Sequence, residues 1–335
     1  MRYGIGSEWK LDLGAFRMRF SIITPSYNYS EYLTDTLESV RAQSFGGAVE
    51  HVVVDDASGE QAAIDILLAR RDDLVLDLRT ANEGLARTLN RCLGMASGEW
   101  IGWLNADDFY LPDTLSLVDR YIQGSPEVDV VFGDHALVDQ RGQLLRLVGQ
   151  HRMSHTVLRR FGPHVAPSAM FVRREILARC GFDPLTRKLM DWDLFLTLHR
   201  MSARFGYTSV PLGTYRRHER QESVVLAEGD TAEWTRIASR HGIRLSRAGT
   251  VAGTVMHGIL KIRDGSYLRE CEAASFAGCD LSWFRSCDAA ANCERLVSIV
   301  GLGHGSGRSF VRSGRGLVGA VRRGVRHSEF RSHGA

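Results

Sequence analysis

Apolar positions in the first half of the chain fall into short runs that stop at polar loops, and each run is followed by residues with helical spacing. Phe20–Thr24, Glu50–Val54, Leu74–Leu78, Trp100–Asn105 and Val128–Phe132 are the runs. Runs of this length bounded by turn residues read as strands buried on both faces. Between them, Leu33, Leu37 and Val40 predict one helix, residues 61–70 a less periodic second, and Leu85, Leu89, Cys92, Leu93 and Ala96 a third. A fourth carries Leu115, Val118 and Ile122. Asn28 with Glu31 suggests a capping box, Gly98 a helix end, and Pro112 a first-turn proline. Strands alternating with helices at this spacing imply βαβ units with right-handed crossovers, hence an α/β fold with a mostly parallel sheet flanked by helices.

The second half changes character. His135–Gly149 reads as a polar hairpin around Arg141-Gly142, Val165–Val172 as an extended run, and Arg174–Cys180 as a short helix closed by Gly181. Lys188–Asp193 leads into a helix with Leu194, Phe195, Leu198 and Met201 on its apolar side. Arg204–Val210 and Thr214–Arg216 read as two short strands, and residues 234–240 and 252–262 as helices. The expected organisation is a leader over residues 1–17, disordered or preceding a translation start at Met18, then an α/β domain over 18–225. A helical extension over 226–335 follows, ending in a basic Gly/Arg-rich tail.

Composition adds limits. With 335 residues, 44% hydrophobic and 24% charged, the chain can bury one large core. A net charge of +3 is too small to point to nucleic acid. Six cysteines without a CxxC pair form neither a disulfide framework nor a zinc motif, so reduced cytoplasmic thiols are expected. The first residues lack a signal-peptide core, and no run of about 18 apolar residues could span a bilayer. The arginines from Arg308 to Arg326 alternate with apolar residues. They fit a basic amphipathic helix in peripheral contact with the inner face of the cell membrane. Eight glycines from Gly301 to Gly324 fit a solvated tail equally well.

Candidate chemistry lies where strands stop. WIGWLN breaks into Asp107 and Asp108, and the second run ends in Asp55 and Asp56. The carboxyl edge of an open α/β sheet is where ligands bind. Adjacent carboxylates there suit a divalent cation such as Mg²⁺ or Mn²⁺, which keeps coordination for water and substrate phosphates. Asp191 precedes Trp192 at a helix start, where it reads as a helix cap or as a reactive carboxylate.

Six stretches together resemble family 2 glycosyltransferases of the GT-A fold: FSIITPSYNYSEYLTDTLESVRAQSF, EHVVVDDAS, NEGLARTLNRCLGMASGEWIGWLNADD, APSAMFVRREI, MDWDLFLTL and YRRHERQES. They run from Met18 to about Ser223, and the likeness is strongest to bacterial enzymes that build surface polysaccharides. The resemblance implies inverting transfer of a sugar from a nucleotide-sugar donor to a hydroxyl of a glycan or lipid-linked acceptor. It assigns Thr24, Pro25, Tyr27 and Asn28 to nucleotide contact, Asp56 to base recognition and Arg87 to the diphosphate. Asn105 stands at the first position of the usual DxD motif, with Ala106 beside it. Asp107, Asp108 and His218 are then the expected metal ligands, with Arg216 near the phosphates. Asp191 matches the catalytic aspartate, with Met190 at the usual glutamate position and Asp193 as the fallback base. A nucleotidyltransferase and a catalytically inactive nucleotide-sugar-binding scaffold are the competing readings. TPSYN lacks the Gly-rich basic loop expected of the former.

Overall fold

The computed structural model describes residues 18–162, 164–221 and 230–302. The expected leader, the boundary near residue 225 and the basic tail fall outside the described residues. Eight strands form one sheet: β1 (Met18–Ser26), β2 (Ala48–Asp55), β3 (Val75–Leu78), β4 (Trp100–Trp103), β5 (Val130–Val138), β6 (Leu144–Val148), β7 (Met170–Arg173) and β8 (Phe205–Arg216). Their order is β3-β2-β1-β4-β7-β5-β6, with β8 paired to β5. β1 runs parallel to β2 and β4, β2 to β3, and β5 to β8. β7 is antiparallel to both β4 and β5, and β6 to β5.

Helices α1 (Ser30–Arg41), α2 (Gln61–Ala69), α3 (Leu85–Met95) and α4 (Thr114–Gly124) follow the first strands. α5 (His155–Arg160), α6 (Arg174–Cys180) and α7 (Met190–Arg200) lie in the second half, before α8 (Asp230–Arg240), α9 (Arg247–Arg263), α10 (Ser266–Ala273) and α11 (Cys287–Leu302). The two-sided burial expected of the sheet is explicit at its centre. Phe20, Ile22 and Trp100 enter one core cluster, while Ile23, Ile101 and Trp103 enter another. The turn before β4 needs Gly98, because a Cβ there would lie 2.7 Å from the backbone nitrogen of Ser21. The expected hairpin is β5 and β6, turning through Gly142 at φ 85°.

Four local expectations change. Asn28 does not cap α1; Tyr29 occupies that position without a side-chain bond, and Glu60 reaches across to accept from the backbone N–H of Ser30 at 3.2 Å. Pro112 lies outside α4, whose first residue is Thr114 and whose cap, Asp113, is left-handed. Residues 167–169 form a short 3₁₀ turn, so the expected extended run Val165–Val172 is strand only from Met170, and that strand continues to Arg173. The two expected short strands are one, β8; its register against β5 shifts around Asp134, opposite Pro211, which breaks the hydrophobic pattern without ending the strand.

The extension is built onto the sheet domain rather than hung from it. Phe109, Leu111, Ala136, Val138, Leu144 and Leu147 share a buried cluster with Ala273, Phe276, Leu281, Cys293 and Leu296. Arg269 of α10 donates from Nε to Asp134 of β5 at 2.7 Å, and both side chains are buried. Removing water from both groups makes this contact costly unless every hydrogen bond is made, and further bonds are made. The second Asp134 oxygen accepts from Tyr207 Oη at 2.7 Å and from the Gln150 backbone.

Candidate active site

The loop after β1 and the loop after β2 lock one another. Asn28 adopts φ 57°, and its Oδ1 accepts from the backbone N–H of Gly59 at 2.7 Å and of Glu60 at 3.1 Å. In exchange the Glu60 carboxylate accepts from Ser30 Oγ at 2.7 Å. Arg220, just beyond β8, closes the pair: it donates to the Asn28 carbonyl at 2.7 Å and forms an ion pair with Glu60. Asp55 is spent on Ser58, accepting from its N–H at 2.8 Å and its Oγ at 2.6 Å. Asp56 accepts from the N–H groups of Glu83 at 2.9 Å and Gly84 at 2.8 Å, which positions the start of α3. Thr24 is buried against His51, 2.9 Å from its Nε2, and Pro25 is buried too. Burial pushes the His51 imidazole down to about 3, so it stays neutral. Tyr27 presents its ring to solvent at 47% exposure, and Arg87 is exposed in the first turn of α3.

The loop after β4 separates the expected ligands. Asn105 Oδ1 accepts from Trp103 Nε1 at 2.8 Å. The Ala106 methyl is buried with Leu33, Leu37 and Val53, which leaves only its backbone for a ligand. Asp107 Oδ2 lies 3.0 Å from His218 Nε2. Asp108 turns the other way: its Oδ1 accepts from the backbone N–H of Arg216 at 2.7 Å. Burial, and then the charge of Asp107, holds the Asp108 carboxyl well above the usual carboxylate range. Arg216 is itself fully buried, donating from Nε to the Asp107 carbonyl, from Nη1 to the Gln140 carbonyl and from Nη2 to Asp35. With those donors committed, it is a strut beneath the loop, not the phosphate partner its sequence position suggested. Arg285 of the extension also binds Asp35, at 2.8 Å from Nε to Oδ1.

His218 sits between two tyrosines, with the Tyr32 ring centroid at 4.5 Å and Tyr29 edge-on at 5.5 Å. Its buried Nδ1 has no hydrogen-bond partner within the protein. A carboxylate and an imidazole on one loop edge suit a divalent ion whose other positions are filled by diphosphate oxygens and water. Among the described residues no group of three or more His, Cys, Asp or Glu could hold such an ion by itself. The donor set fits a metal carried jointly with a phosphate ligand.

Asp191 borders a narrow recess lined by Leu158, His164, Val165, Trp192 and Phe195. It is the second residue of α7, and its Oδ1 accepts from the N–H of Trp192 at 2.8 Å. The half-buried carboxyl is pushed up to about 7, chiefly by burial, with the charge of Glu233 adding to it. His164 points an unpartnered, buried Nε2 from the same lining. Asp193 is fully used: Oδ1 lies 2.7 Å from His241 Nε2 and Oδ2 accepts from Arg240 at 2.9 Å. The fallback base is therefore structural. Glu233 Oε1 accepts from the N–H groups of Arg187, Lys188 and Leu189 at 2.8, 3.1 and 3.2 Å, so α8 caps the turn that presents Asp191. Glu60 and Glu233 escaped the sequence reading because they lie outside the six stretches, and Asp35 and Arg220, inside them, because their partners are distant in the chain.

Comparison with known proteins places this geometry. The model of glycosyl transferase family 2 matches residues 21–181. The amylovoran biosynthesis glycosyltransferase AmsB of Erwinia amylovora is 28% identical over 213 residues, covering 58% of this chain and 69% of that protein. A PGL/p-HBAD biosynthesis glycosyltransferase of Mycobacterium bovis is 30% identical over 178 residues, covering 52% of this chain and 67% of that protein. Among solved structures, Staphylococcus aureus TarS 1-349 in complex with UDP-GlcNAc superposes with a TM-score of 0.57 at 19% identity. That match covers 85% of this chain and 92% of TarS 1-349, and it supports the expected GT-A fold. A sheet whose loops bring the NADD stretch, the aspartates after β2 and His218 to one edge, and a relative 30% identical over two thirds of its length, lead to one conclusion: the chain belongs to glycosyl transferase family 2.

Proposed function

We propose that this protein transfers a sugar, with inversion at the anomeric carbon, from a nucleoside diphosphate donor to a hydroxyl of a glycan or lipid-linked acceptor in surface-polysaccharide or glycolipid synthesis. The part that the AmsB and PGL/p-HBAD relatives take in amylovoran and PGL/p-HBAD biosynthesis supports the acceptor class. The observation that carries the reading is Asp191, a carboxyl raised to about 7 beside a narrow cleft. A general base works best when its pKa lies near the operating pH. Asp191 takes the proton from the acceptor hydroxyl as that oxygen attacks the anomeric carbon, and the nucleoside diphosphate leaves from the opposite face. No covalent intermediate is needed, and the charge builds in an oxocarbenium-like transition state.

On the donor side, Asp107 and His218 are the proposed metal ligands, and Tyr27, Asn28, Asp56, Arg87 and the 105–106 backbone border the nucleotide. Asp108 serves by holding the Arg216 backbone rather than by ligation. A divalent ion bound there would neutralise the leaving diphosphate. The Asp107–His218 contact fixes the carboxylate's direction, and the two tyrosines fix the imidazole plane, so neither group must reorganise as charge develops. The test is calorimetric binding of UDP, GDP, dTDP, CDP and ADP with and without Mn²⁺, followed by transfer assays with the sugar form of the nucleotide that binds. Binding of one base, strengthened by Mn²⁺, with turnover lost in Asp191→Asn supports the reading. Donor binding without turnover or donor hydrolysis in the intact protein favours the inactive binding protein.

A further inference from the structure

Exposed apolar side chains are concentrated on one surface. Among the described residues thirteen large hydrophobic side chains are exposed, and eight of them lie between Leu245 and Leu268. On α9, Val251, Val255, Ile259 and Ile262 are 63, 56, 52 and 71% exposed. Their spacing of four, four and three residues places them along one side of the helix. Tyr267 and Leu268 of α10 continue the patch. The opposite side of α9 is the packed one: a Cβ on Gly253 would lie 2.7 Å from the Arg160 backbone carbon, and the His257 ring stacks on Phe161 at 4.3 Å. α9 is thus seated on the protein by one stripe and turns a second apolar stripe to water.

The charges on α9 itself have one sign. α9 contains no Asp or Glu, Arg244 and Arg247 are exposed at its start, and Arg263 at its end. Asp264 is paired with Arg263 and Glu270 with Lys261, and Glu272 of α10 is exposed. The apolar stripe of α9, with basic ends and no acidic residue within the helix, complements an anionic lipid surface, where the side chains enter the acyl boundary and the arginines meet headgroups. The chain beyond residue 302 carries seven arginines against one glutamate, so its charge has the same sign as that of α9.

We propose that the exposed face of α9 and α10 seats the protein on an anionic phospholipid bilayer, in the orientation that brings a lipid-linked acceptor to the Asp191 cleft. Phe161, against which α9 packs, ends α5, and Leu158 of α5 lines that cleft. The orientation rests on the glycosyl-transfer reading; the docking surface itself does not.

The experiment is co-sedimentation of the full chain with phosphatidylcholine vesicles and with vesicles containing about a third phosphatidylglycerol, for wild type, Val255→Asp/Ile262→Asp and the uncharged Val255→Ser/Ile262→Ser. Wild type should partition onto the anionic vesicles at least tenfold more than onto neutral ones. Both variants should lose at least tenfold of that partitioning while binding nucleoside diphosphate in solution as wild type does. Unchanged pelleting of both variants would overturn the proposal and assign membrane contact, if any is present, to the basic tail. Retention by the serine variant alone would reduce the effect to charge repulsion and overturn it as well. A wild-type dimer in vesicle-free solution that either variant dissociates would assign the face to a second copy. Vesicle binding that follows these expectations while no nucleotide binds would leave the docking surface standing and remove the glycosyl-transfer reading.

Discussion

His218 Nε2 lies 3.0 Å from Asp107 Oδ2, so a residue beyond the last strand meets the loop after β4 across 111 positions of sequence. The contact gives the loop a second donor group and leaves the buried His218 Nδ1 without a protein partner. If these groups hold a divalent ion together with a diphosphate, Asp107→Ala and His218→Ala should each weaken nucleoside diphosphate binding in Mn²⁺ by roughly tenfold or more, about 1.4 kcal/mol. In EDTA the variants and wild type should bind alike. Calorimetry in the two buffers checks this, and equal losses in both would show a role in packing alone.

Asp191 makes opposite predictions for rate and for stability. A base with a pKa of about 7 is active when deprotonated, so kcat/KM should rise with pH and level off above about 7. Asp191→Asn should lower kcat by roughly 10²-fold or more and leave donor affinity unchanged. For stability, the folded-state pKa exceeds the unfolded one, so between about pH 4 and 7 the folded state binds the extra proton. Stability from this group is intact below pH 4 and falls as pH rises through 7. The Asn variant, which never ionises, should therefore be more stable than wild type at pH 8, by about 2 kcal/mol as for a desolvated polar group, and equal to it at pH 4. Thermal melts at the two pH values read this directly.

Glu233 offers a test of how the extension serves the site. Its carboxylate oxygen takes three backbone N–H groups just ahead of Asp191. Glu233→Ala should cost about 1 to 2 kcal/mol, as for loss of a helix cap, and should lower kcat with little change in donor binding. Glu233→Gln keeps an amide oxygen at that point and should recover most of the stability. Denaturant melts and steady-state kinetics on the two variants separate a cap from a direct role in charge.

The sheet was legible in the sequence because its strands are buried on both faces and stop at Pro, Gly or Asp: β1, β2, β4 and the β5–β6 hairpin follow directly from runs such as FSIIT and WIGW. β8 was read as two strands because Pro211 and Gly213 mark a bulge within a continuous pairing, where Gly213 passes Ser168 so closely that a Cβ would lie 2.3 Å from its carbonyl oxygen. The candidate site residues came from resemblance, but their division of contacts did not. Asp107 and Asp108 are adjacent and alike in sequence; only the fold reveals that one faces His218 and the other the Arg216 backbone. Arg216 was misread for the same reason, since its partner Asp35 sits mid-helix with nothing local to mark it.

That buried ion pair yields the largest stability prediction. Arg216 is fully buried, Asp35 nearly so, and they meet at 2.7 Å beneath the Asp107 loop. The guanidinium is also over the Tyr32 and Phe109 rings, with centroids at 4.9 and 5.2 Å. Asp35→Ala leaves a charged guanidinium without its counter-ion in a site water does not reach, so a loss of about 3 to 5 kcal/mol is expected. Arg285, which meets the same aspartate from a half-exposed position, is screened by solvent; Arg285→Ala should cost less than about 1 kcal/mol. Chemical denaturation of both variants measures the contrast. Similar losses at the two positions would mean that Asp35 is more hydrated than its place beneath the loop implies, and that Arg216 is supported chiefly by the carbonyls of Asp107 and Gln140.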